Sequence, residues 1–395
     1  MRLLLASEAH FIRSEGRIWT AGPEDYDFWS SYAGVFDEVG VLARVREGQP
    51  PPAARPADGA GVVFHCLEPY RGPIQYLAGL SRLREHAGRP VEAYQCYLLR
   101  APGAVAYLAW DAIRRRGRPY GAEVLGDPWE SLGPASGIRH PLQPMARVWS
   151  RNRLRALCRH AAAVCYVTGV LHRRYPAGSE AVFICSDVRL RGVAPEPTLE
   201  ARRERIRQAA ARRRLWRLGF AGSLERLYKA PDVLLEAVAR CRRAGVDAEV
   251  WVAGEGRFRP WLEQLAARLG LGGAARFLGA VPAGEPMERF FDEIDLFVLP
   301  SRTEGLPRAL VEAMARGCPA IGSTAGGIPD LLEPRALVEP GAAGALALRI
   351  LDCLTEPDLL RNMAQRNLSV ARQYLWERLA PRRREFLWQL RNCCT

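Results

Sequence analysis

The sequence predicts an α/β protein built from two doubly wound parallel-sheet domains. Its 395 residues suit two domains of ordinary size, and 48% hydrophobic with 25% charged residues is an ordinary globular composition. Short apolar runs alternate with amphipathic segments of helical length, which is the pattern of βαβ units. Pro195 and Pro197 interrupt this alternation, so we place a linker and the domain boundary near residue 195.

The first domain is predicted over residues 1–195. Its opening apolar run ends at Ala6, which is too short for a signal peptide, so it predicts a buried first strand and a cytoplasmic protein. The Pro/Ala-rich segment 49–59 predicts a surface loop. The predicted strands are Leu3–Ala6, Glu38–Ala43, Val62–Cys66, Glu92–Leu99, Ala122–Leu125 and Val182–Cys185, and the predicted helices are Tyr26–Val35, Ile74–His86 and Pro102–Arg116.

The second domain, residues 196–372, alternates more regularly. An Arg-rich run after the linker predicts a solvated helix, and residues 373–395 are expected to form a C-terminal helix that packs back on the first domain. Ligands of such sheets bind at the carboxyl ends of the strands. The predicted strands are Trp216–Gly222, Ala248–Ala253, Arg276–Leu278, Leu296–Leu299 and Ala320–Gly322, and the helices are Pro231–Arg243, Phe258–Leu269, Glu285–Asp292, Pro307–Arg316, Glu356–Arg372 and Leu375–Leu390.

The basic residues are unusual in kind. A net charge of +13 favours anionic partners, namely phosphorylated small molecules, anionic lipid or nucleic acid, without choosing among them. Nearly all of the 56 basic residues are arginine, and Lys229 is the only lysine. The ten cysteines form no C-x-x-C pair, which predicts free thiols in a reducing compartment.

Two glutamates in the stretch 301-SRTEGLPRALVEAMARGCPAIGS-323 predict a ligand site. Glu304 follows a buried strand, and Glu312 lies on the helix that begins at Pro307, roughly 8–10 Å further along. Free N–H groups at a helix start favour an anion, and carboxylates accept hydrogen bonds from hydroxyls. Such a spacing is common, but together these groups suit a ligand that presents hydroxyls, phosphate and again hydroxyls, such as a nucleotide sugar.

Three neighbouring loops strengthen this prediction. The stretch 220-FAGSLERLYKAPDVLLEA-237 places Gly222 and Lys229 after a strand, and lysine can act as a point charge on phosphate. The stretches 252-VAGEG-256 and 277-FLGAV-281 place Gly254 and Gly279 at two further strand ends, where glycine lets a ligand approach the backbone.

These motifs, with 325-AGGIPD-330, resemble the family-4 retaining glycosyltransferases over about residues 218–335. The resemblance implies the GT-B fold, in which two Rossmann-like domains face a cleft. It implies that Glu304 binds donor-sugar hydroxyls, Glu312 the ribose diol and Lys229 the pyrophosphate, without a metal or another cofactor. The other donor-binding positions that it implies are Gly22, Gly222, Ser223, Gly254, Gly279, Val281, Gly305, Leu306 and Pro307.

One position departs from the family pattern. Ser223 stands where many members carry arginine, six residues before the lysine. A second cation for the diphosphate would then come from elsewhere, and Arg226 is one candidate. Donor affinity or donor choice is expected to differ accordingly.

The first domain offers fewer candidates. Asp127 follows a predicted strand at a place where members often carry His or Asp, so we count it with Glu304 and Lys229 as a catalytic candidate. Glu8 and His10 lie in the predicted loop 7–29 and are candidate acceptor contacts, although His10 is as well explained as a plain loop residue.

The segment 145–161 predicts a basic amphipathic helix. Arg147, Arg151, Arg155 and Arg159 recur near one face of it. One interpretation is peripheral contact with anionic lipid at the inner face of the membrane. The other is a solvated face in an Arg-rich protein.

The leading functional prediction is a hexosyltransferase-type enzyme. It would move a sugar, with retention, from a UDP- or GDP-sugar to a hydroxyl acceptor, which is a glycan, a lipid-linked molecule or a small molecule, in bacterial polysaccharide, glycolipid or glycosylated-metabolite assembly. A nucleotide-sugar epimerase on the same fold is one alternative. A basic nucleic-acid binder is another, but no element interleaves aromatic residues with arginine, so no nucleic-acid partner is expected.

Overall fold

Two units, each with its own parallel sheet, make up the part of the chain that the computed structural model describes, which is residues 1–51, 54–70, 72–133, 140–209 and 215–394. The first unit contains Met1–Gly126, Val148–Cys185 and Ala380–Thr395. The second unit contains Asp127–Arg147 and Ser186–Leu379. The predicted class, two α/β domains with parallel sheets, is therefore confirmed.

Strands and α-helices alternate one for one from Ala163 to Ser323 and less regularly elsewhere in the described ranges. The strands are β1 Arg2–Ser14, β2 Arg17–Thr20, β3 Glu38–Glu47, β4 Arg55–Pro56, β5 Val62–Leu67, β6 Cys96–Ala101, β7 Gly121–Val124, β8 Ala163–Tyr166, β9 Val182–Ile184, β10 Trp216–Ala221, β11 Ala248–Ala253, β12 Ala275–Gly279, β13 Leu296–Leu299, β14 Ala320–Ser323 and β15 Leu337–Val338. The α-helices are α1 Tyr26–Ser30, α2 Gly72–Ala78, α3 Leu80–Gly88, α4 Ala104–Arg115, α5 Pro128–Ser131, α6 Gln143–His160, α7 Gly169–Arg174, α8 Glu196–Ala209, α9 Pro231–Arg243, α10 Arg259–Arg268, α11 Glu285–Glu293, α12 Arg308–Ala315, α13 Ala343–Thr355, α14 Pro357–Ala371 and α15 Trp376–Cys393.

The first sheet pairs β5, β3, β1, β6, β7, β8 and β9 in parallel, and β2 and β4 extend it antiparallel from the far half of β1. Strand β1 is much longer than the predicted Leu3–Ala6. Its register against β3 shifts between Ala6 and His10, and beyond this bulge Phe11 and Ile12 are buried. The predicted loop 7–29 is therefore wrong in its first half, because these apolar residues continue the strand across the bulge.

The second sheet has the order β12-β11-β10-β13-β14-β15 among the described residues, and every pair is parallel. Three predicted elements have the same bounds in the structure, namely α9, β11 and β13. Because parallel strands point their carboxyl ends to one edge, the loops after β10, β11, β12, β13 and β14 share that edge. The core of this unit lies between the sheet and its covering helices and includes Leu234, Phe297 and Leu310.

The boundary between the units precedes the predicted position at residue 195. Val188 is buried in the core of the second unit. The Ala194 N–H donates to the Ala315 carbonyl at 2.8 Å, and the Leu190 carbonyl accepts from the Trp376 N–H at 2.8 Å. These contacts fix residues 186–195 to the second unit. The chain therefore passes from the first unit to the second before Pro195 and Pro197.

Helix α15 joins the first unit from Ala380 onward. Arg383 is buried and donates to Glu123 Oε1 at 2.5 Å, and Glu123 also pairs with the buried Arg100. Leu390 packs against the backbone of Gly121, where a Cβ would lie 2.8 Å from its methyl carbon. A buried ionic network and apolar packing therefore hold the end of the chain on the sheet of the first unit.

Three further findings bear on the sequence predictions. The basic helix predicted over residues 145–161 is present as α6, Gln143–His160, and the buried strand β8 follows it at Ala163–Tyr166. All ten cysteines are free, and most of them are buried. No helix in the described ranges is long and apolar enough to span a membrane.

Candidate active site

The sole lysine and the first of the two glutamates meet directly at the carboxyl edge of the second sheet. Lys229 Nζ lies 2.6 Å from Glu304 Oε1, and the Ser301 hydroxyl donates to the same oxygen at 2.8 Å. The side chains of Lys229 and Glu304 are 15% and 7% exposed. Two charged groups predicted from separate loops thus form one nearly buried pair, while Glu304 Oε2 receives no hydrogen bond from any residue that the structure describes.

The position of Lys229 depends on the glycine at the end of the preceding strand. The side chain of Lys229 crosses Gly222 so closely that a Cβ there would lie 2.4 Å from Lys229 Cδ. The next residue, Ala230, is buried and has φ of 56°, a left-handed conformation that is uncommon outside glycine. It turns the chain into Pro231, which fits the first position of α9 because it has no N–H to satisfy.

The loop that carries Glu304 is held from the side of α9. Arg302 makes a two-pronged ion pair with Asp232, at 2.9 and 2.6 Å, and donates to the Leu227 carbonyl at 2.7 Å. The Arg302 N–H also donates to the Tyr228 carbonyl at 2.6 Å. Bidentate pairs fix orientation as well as distance. Arg302 therefore locks the Glu304 loop to the Lys229 loop, and its positive charge is already paired with Asp232.

The same loop is held on its other side by the segment after β14. Ser323 donates to the Ser301 carbonyl at 2.5 Å, and the Gly327 N–H donates to the Gly305 carbonyl at 2.8 Å. At Gly326, φ is 53° and a Cβ would lie 2.0 Å from the Glu304 carbonyl oxygen. The 325-AGGIPD-330 stretch is thus a backbone support for the Glu304 loop, which requires glycine at position 326.

Helix α12 begins one residue later than predicted, since Pro307 is its N-cap and Arg308 its first residue. Glu312 lies on the exposed side of this helix, and its carboxylate makes no hydrogen bond or ion pair with a described residue. Desolvation by the surrounding chain raises the pKa of Glu312, and the nearby positive charge of Arg308 opposes this rise. Glu312 is therefore open to a ligand that brings its own donors.

The two predicted glycine turns lie next to the Lys229 loop. The Gly222 N–H donates to the Ala253 carbonyl at 2.9 Å, and the Gly254 N–H donates to the Gly279 carbonyl at 2.8 Å. A Cβ at Gly254 would lie 1.9 Å from the Gly222 carbonyl oxygen, so this close approach requires glycine. Gly279 has φ of 74°, and Val281 packs partly buried against the core. The structure thus brings Gly222, Gly254 and Gly279 together at this edge of the sheet.

Ser223, at the position where arginine was expected, has a local role. Its hydroxyl accepts a hydrogen bond from the Glu225 N–H at 3.2 Å, and the side chain is exposed. Arg226 is exposed nearby and forms no ion pair in the described part of the chain. Arg226 therefore stays available as the second cation.

The remaining predicted site residues have structural partners. Glu8 lies on β1, pairs with Arg44 at 2.9 Å and accepts from the Val105 N–H at the start of α4; burial raises its pKa. The Gly22 N–H donates to the Thr20 hydroxyl at 2.9 Å, and Gly22 lies in the loop after β2. His10 is exposed on β1, beyond the bulge.

Asp127 is the N-cap of the short helix α5. It is 3% exposed, and its Oδ1 accepts from the Trp129 N–H at 2.7 Å. Capping by aspartate is worth about 1 kcal/mol to a helix, so this contact alone accounts for the residue type. The geometry gives Asp127 a structural role, and a catalytic one stays a prediction.

Sequence comparison places this architecture among known enzymes. Residues 216–356 match the family model described as Glycosyl transferases group 1. A D-inositol 3-phosphate glycosyltransferase of Streptomyces scabiei is 31% identical over 371 residues, which cover 86% of this chain and 79% of that protein.

Solved structures with the same fold are more distant in sequence. Sucrose-phosphate synthase of Thermosynechococcus elongatus aligns with a TM-score of 0.71 at 16% identity over 99% of both chains. HepE of Anabaena, in complex with UDP-glucose, aligns with a TM-score of 0.66 at 18% identity over 99% of this chain and 100% of that one. These likenesses show the GT-B fold. The 31% identity over most of the chain shows more: the protein belongs to the group 1 glycosyltransferases and is an enzyme of that class.

Proposed function

We propose that the chain is a family-4 retaining glycosyltransferase that moves a sugar from a nucleoside diphosphate sugar to a hydroxyl acceptor. The observation that carries this proposal is the pair of Lys229 and Glu304, 2.6 Å apart at the carboxyl edge of a parallel sheet and just before the start of α12. A cation, a carboxylate and free helix N–H groups in one place suit a ligand with both phosphate and hydroxyl groups.

The reaction breaks the bond between the sugar C1 and the diphosphate oxygen and forms a bond from C1 to the acceptor oxygen. The leaving diphosphate takes the electron pair, and the acceptor loses its proton. Lys229 and the first N–H groups of α12 would stabilise the negative charge that grows on the diphosphate. Because these groups supply positive charge, we propose that the transfer needs no metal ion.

Glu304 would bind hydroxyls of the donor sugar through its Oε2, while Oε1 stays on Lys229 and Ser301. Glu312, whose carboxylate has no hydrogen-bond or ion-pair partner among the described residues, would accept hydrogen bonds from the ribose diol. The turns at Gly254 and Gly279 would flank the base. Arg226 would supply the second positive charge that Ser223 does not.

We propose UDP as the nucleotide to test first and GDP as the second. UDP-glucose is the ligand of HepE, whose fold this chain shares. The relative from Streptomyces scabiei is named for D-inositol 3-phosphate, a hydroxyl acceptor that carries a phosphate. This supports an acceptor of the polyol or glycan class in bacterial polysaccharide, glycolipid or glycosylated-metabolite assembly.

The test is a transfer assay with UDP-glucose or GDP-mannose and a panel of polyol, glycan and lipid-linked acceptors. We expect release of free nucleoside diphosphate that requires an acceptor, a product whose anomeric configuration matches the donor, and unchanged rates in EDTA. Conversion of the donor sugar to its epimer without nucleotide release would support the epimerase instead. Loss of activity in EDTA would contradict the metal-independent part of the proposal.

A further inference from the structure

Two cysteine thiols meet where helix α15 lies on the first sheet, and neither belongs to the candidate donor site. Cys96 is the first residue of β6, and Cys394 directly follows α15. Both thiols are free, and their sulfur atoms lie 3.1 Å apart. A disulfide holds its sulfurs at about 2 Å, so the two atoms need to approach by only about 1 Å. The two residues are 298 positions apart in the sequence, so the fold alone brings them together.

The packing of α15 fixes the position of Cys394. Phe386, Leu390 and Cys394 follow one another at intervals of four residues, which keeps them on one side of the helix. Phe386 meets Phe183 of β9 edge-on, with ring centroids 5.6 Å apart, and Leu390 packs against the backbone of Gly121 in β7. The apolar face that attaches α15 to the sheet therefore leads directly to Cys394.

The sheet fixes the position of Cys96. Strand β6 lies between β1 and β7, and Cys96 is paired in register with Leu3 and is fully buried. On the other side of the contact, the Cys394 N–H donates to the Arg391 carbonyl at 3.0 Å. The two sulfurs are thus brought together by a central strand and the last turn of a packed helix.

The two sulfurs differ in their access to solvent and in their acidity. Cys394 is partly exposed, whereas Cys96 is fully buried. The hydrogen bond between the two thiols lowers the pKa of Cys394, and the same bond together with burial raises the pKa of Cys96. Thiolates, and not thiols, attack disulfides. Cys394 is therefore the sulfur that reacts first with an oxidant from solution, and Cys96 is the sulfur that reacts second.

We propose that Cys96 and Cys394 form a reversible disulfide that fastens α15 to β6 under oxidising conditions, with glutathione disulfide as the oxidant. The Cys394 thiolate attacks one sulfur of glutathione disulfide, forms a mixed disulfide and releases one glutathione. Cys96 then attacks the Cys394 sulfur and releases the second glutathione. The two protein thiols lose two electrons and two protons, and one glutathione disulfide becomes two glutathione molecules. This proposal does not depend on the proposed function.

The test uses the full chain with Cys393→Ser, because trypsin leaves Cys393 and Cys394 in the same peptide. The reduced protein is treated with glutathione disulfide, and its remaining thiols are titrated in urea. We expect two thiols fewer than in the untreated variant. Digestion without reductant should link the peptide of residues 85–100 to the peptide that begins at Asn392. Dithiothreitol should restore both thiols.

Thermal unfolding gives a second measurement of the same bond. A disulfide stabilises a protein chiefly by restricting the unfolded chain, and the effect grows with the length of the loop that it closes. The oxidised Cys393→Ser protein should therefore melt several degrees above its reduced form. C393S/C394S should show no such difference and no linked peptide. C393S/C96A should stop at the mixed disulfide, with one glutathione retained on Cys394.

Three results would overturn the proposal. All thiols of Cys393→Ser could remain titratable after the treatment, which would mean that the pair does not oxidise. Glutathione could stay on Cys394 without a link to Cys96, which would mean that the buried sulfur does not reach it. C393S/C394S could lose as many thiols and gain as much in melting temperature as Cys393→Ser, which would mean that other cysteines are oxidised.

Discussion

Lys229 and Glu304 form an ion pair that leaves hydrogen-bonding capacity on both groups. Neither group has another charged partner in the described part of the chain, and the neighbouring Ser301 hydroxyl fixes the shared oxygen. A nearly buried ion pair contributes little net stability once desolvation is counted, so stability alone does not account for this pair. The ammonium still has two hydrogens, and the carboxylate a second oxygen, for a donor molecule.

The first prediction concerns these two residues. Lys229→Ala and Glu304→Gln should each lower kcat of sugar transfer by about 10²–10³, because each removes a group that acts on developing charge or on donor hydroxyls. Circular dichroism should show folded protein in both cases. Glu225→Gln is the control: Glu225 is exposed, its ion pair with Arg257 is 4.0 Å long, and a glutamine amide oxygen can still accept the hydrogen bond from the Arg257 N–H, so this variant should keep full activity. Full activity of both site variants would disprove the assigned site.

The second prediction concerns Gly222, which the sequence pattern marks only as a strand-end glycine. Gly222→Ala should push the side chain of Lys229 away, because the new methyl group would lie 2.4 Å from Lys229 Cδ. We expect weaker donor binding, measured as a raised KM for the nucleotide sugar, with a smaller fall in kcat. Gly272→Ala is the matched control, since a Cβ at Gly272 meets nothing within 4 Å. An unchanged KM in Gly222→Ala would show that donor binding does not require the side chain of Lys229 to pass over Gly222.

At the scale of elements, the loops of the second sheet followed from the sequence better than those of the first. Parallel strands with regular helices bring their carboxyl ends together, so Lys229, Gly254, Gly279 and Glu304 could be placed at one edge. The residues that support these loops could not be predicted from the sequence. Nothing in the local pattern around Arg302 indicates its pairing with Asp232, because this contact forms only when two distant loops meet in the fold.

Strand β1 is an element whose extent the sequence did not predict. Glu8 and His10 looked like loop residues, since polar positions interrupt the apolar run. The bulge between Ala6 and His10 lets the strand continue past them, and a bulge has no signature in a single sequence. Glu8 pairs with Arg44 and with the start of α4, so these contacts account for its polarity, and a role in acceptor binding stays a prediction.

The third prediction concerns helix α15, which Glu123 fastens to the first sheet. Glu123 is 1% exposed between Arg100 and Arg383. Glu123→Ala removes the buried carboxylate that both arginines share and leaves Glu24 as the acidic partner of Arg100, which should lower the free energy of unfolding by about 3–5 kcal/mol. Urea denaturation followed by tryptophan fluorescence measures this loss.

A surface pair provides the control for this prediction. Glu285→Ala removes an exposed partner of Arg289 and should cost under about 1 kcal/mol. If Glu123→Ala lowered the free energy of unfolding no more than Glu285→Ala does, the ion pairs of Glu123 would not be what holds α15 on the first sheet.

At the scale of the whole molecule, the two-domain class and the parallel sheets could be predicted, whereas the path of the chain between units could not. The boundary prediction relied on Pro195 and Pro197, which mark a break in regular structure. The structure changes unit earlier, because Val188 has an apolar pocket to fill in the second core. Residues 380–395 return to the first unit, and their partners Glu123 and Gly121 lie far away in sequence.

The last prediction links the donor site to the stability of the molecule. A ligand that binds only folded protein adds RT ln(1 + [L]/Kd), or about 2.7 kcal/mol at a hundred times its Kd. UDP or GDP should therefore raise the melting temperature of the wild type by several degrees in a thermal-shift assay, and ADP should raise it less. Lys229→Ala should lose most of this rise, because the proposed function assigns the diphosphate to Lys229. A shift of equal size in Lys229→Ala would mean that the nucleotide binds elsewhere on this basic protein.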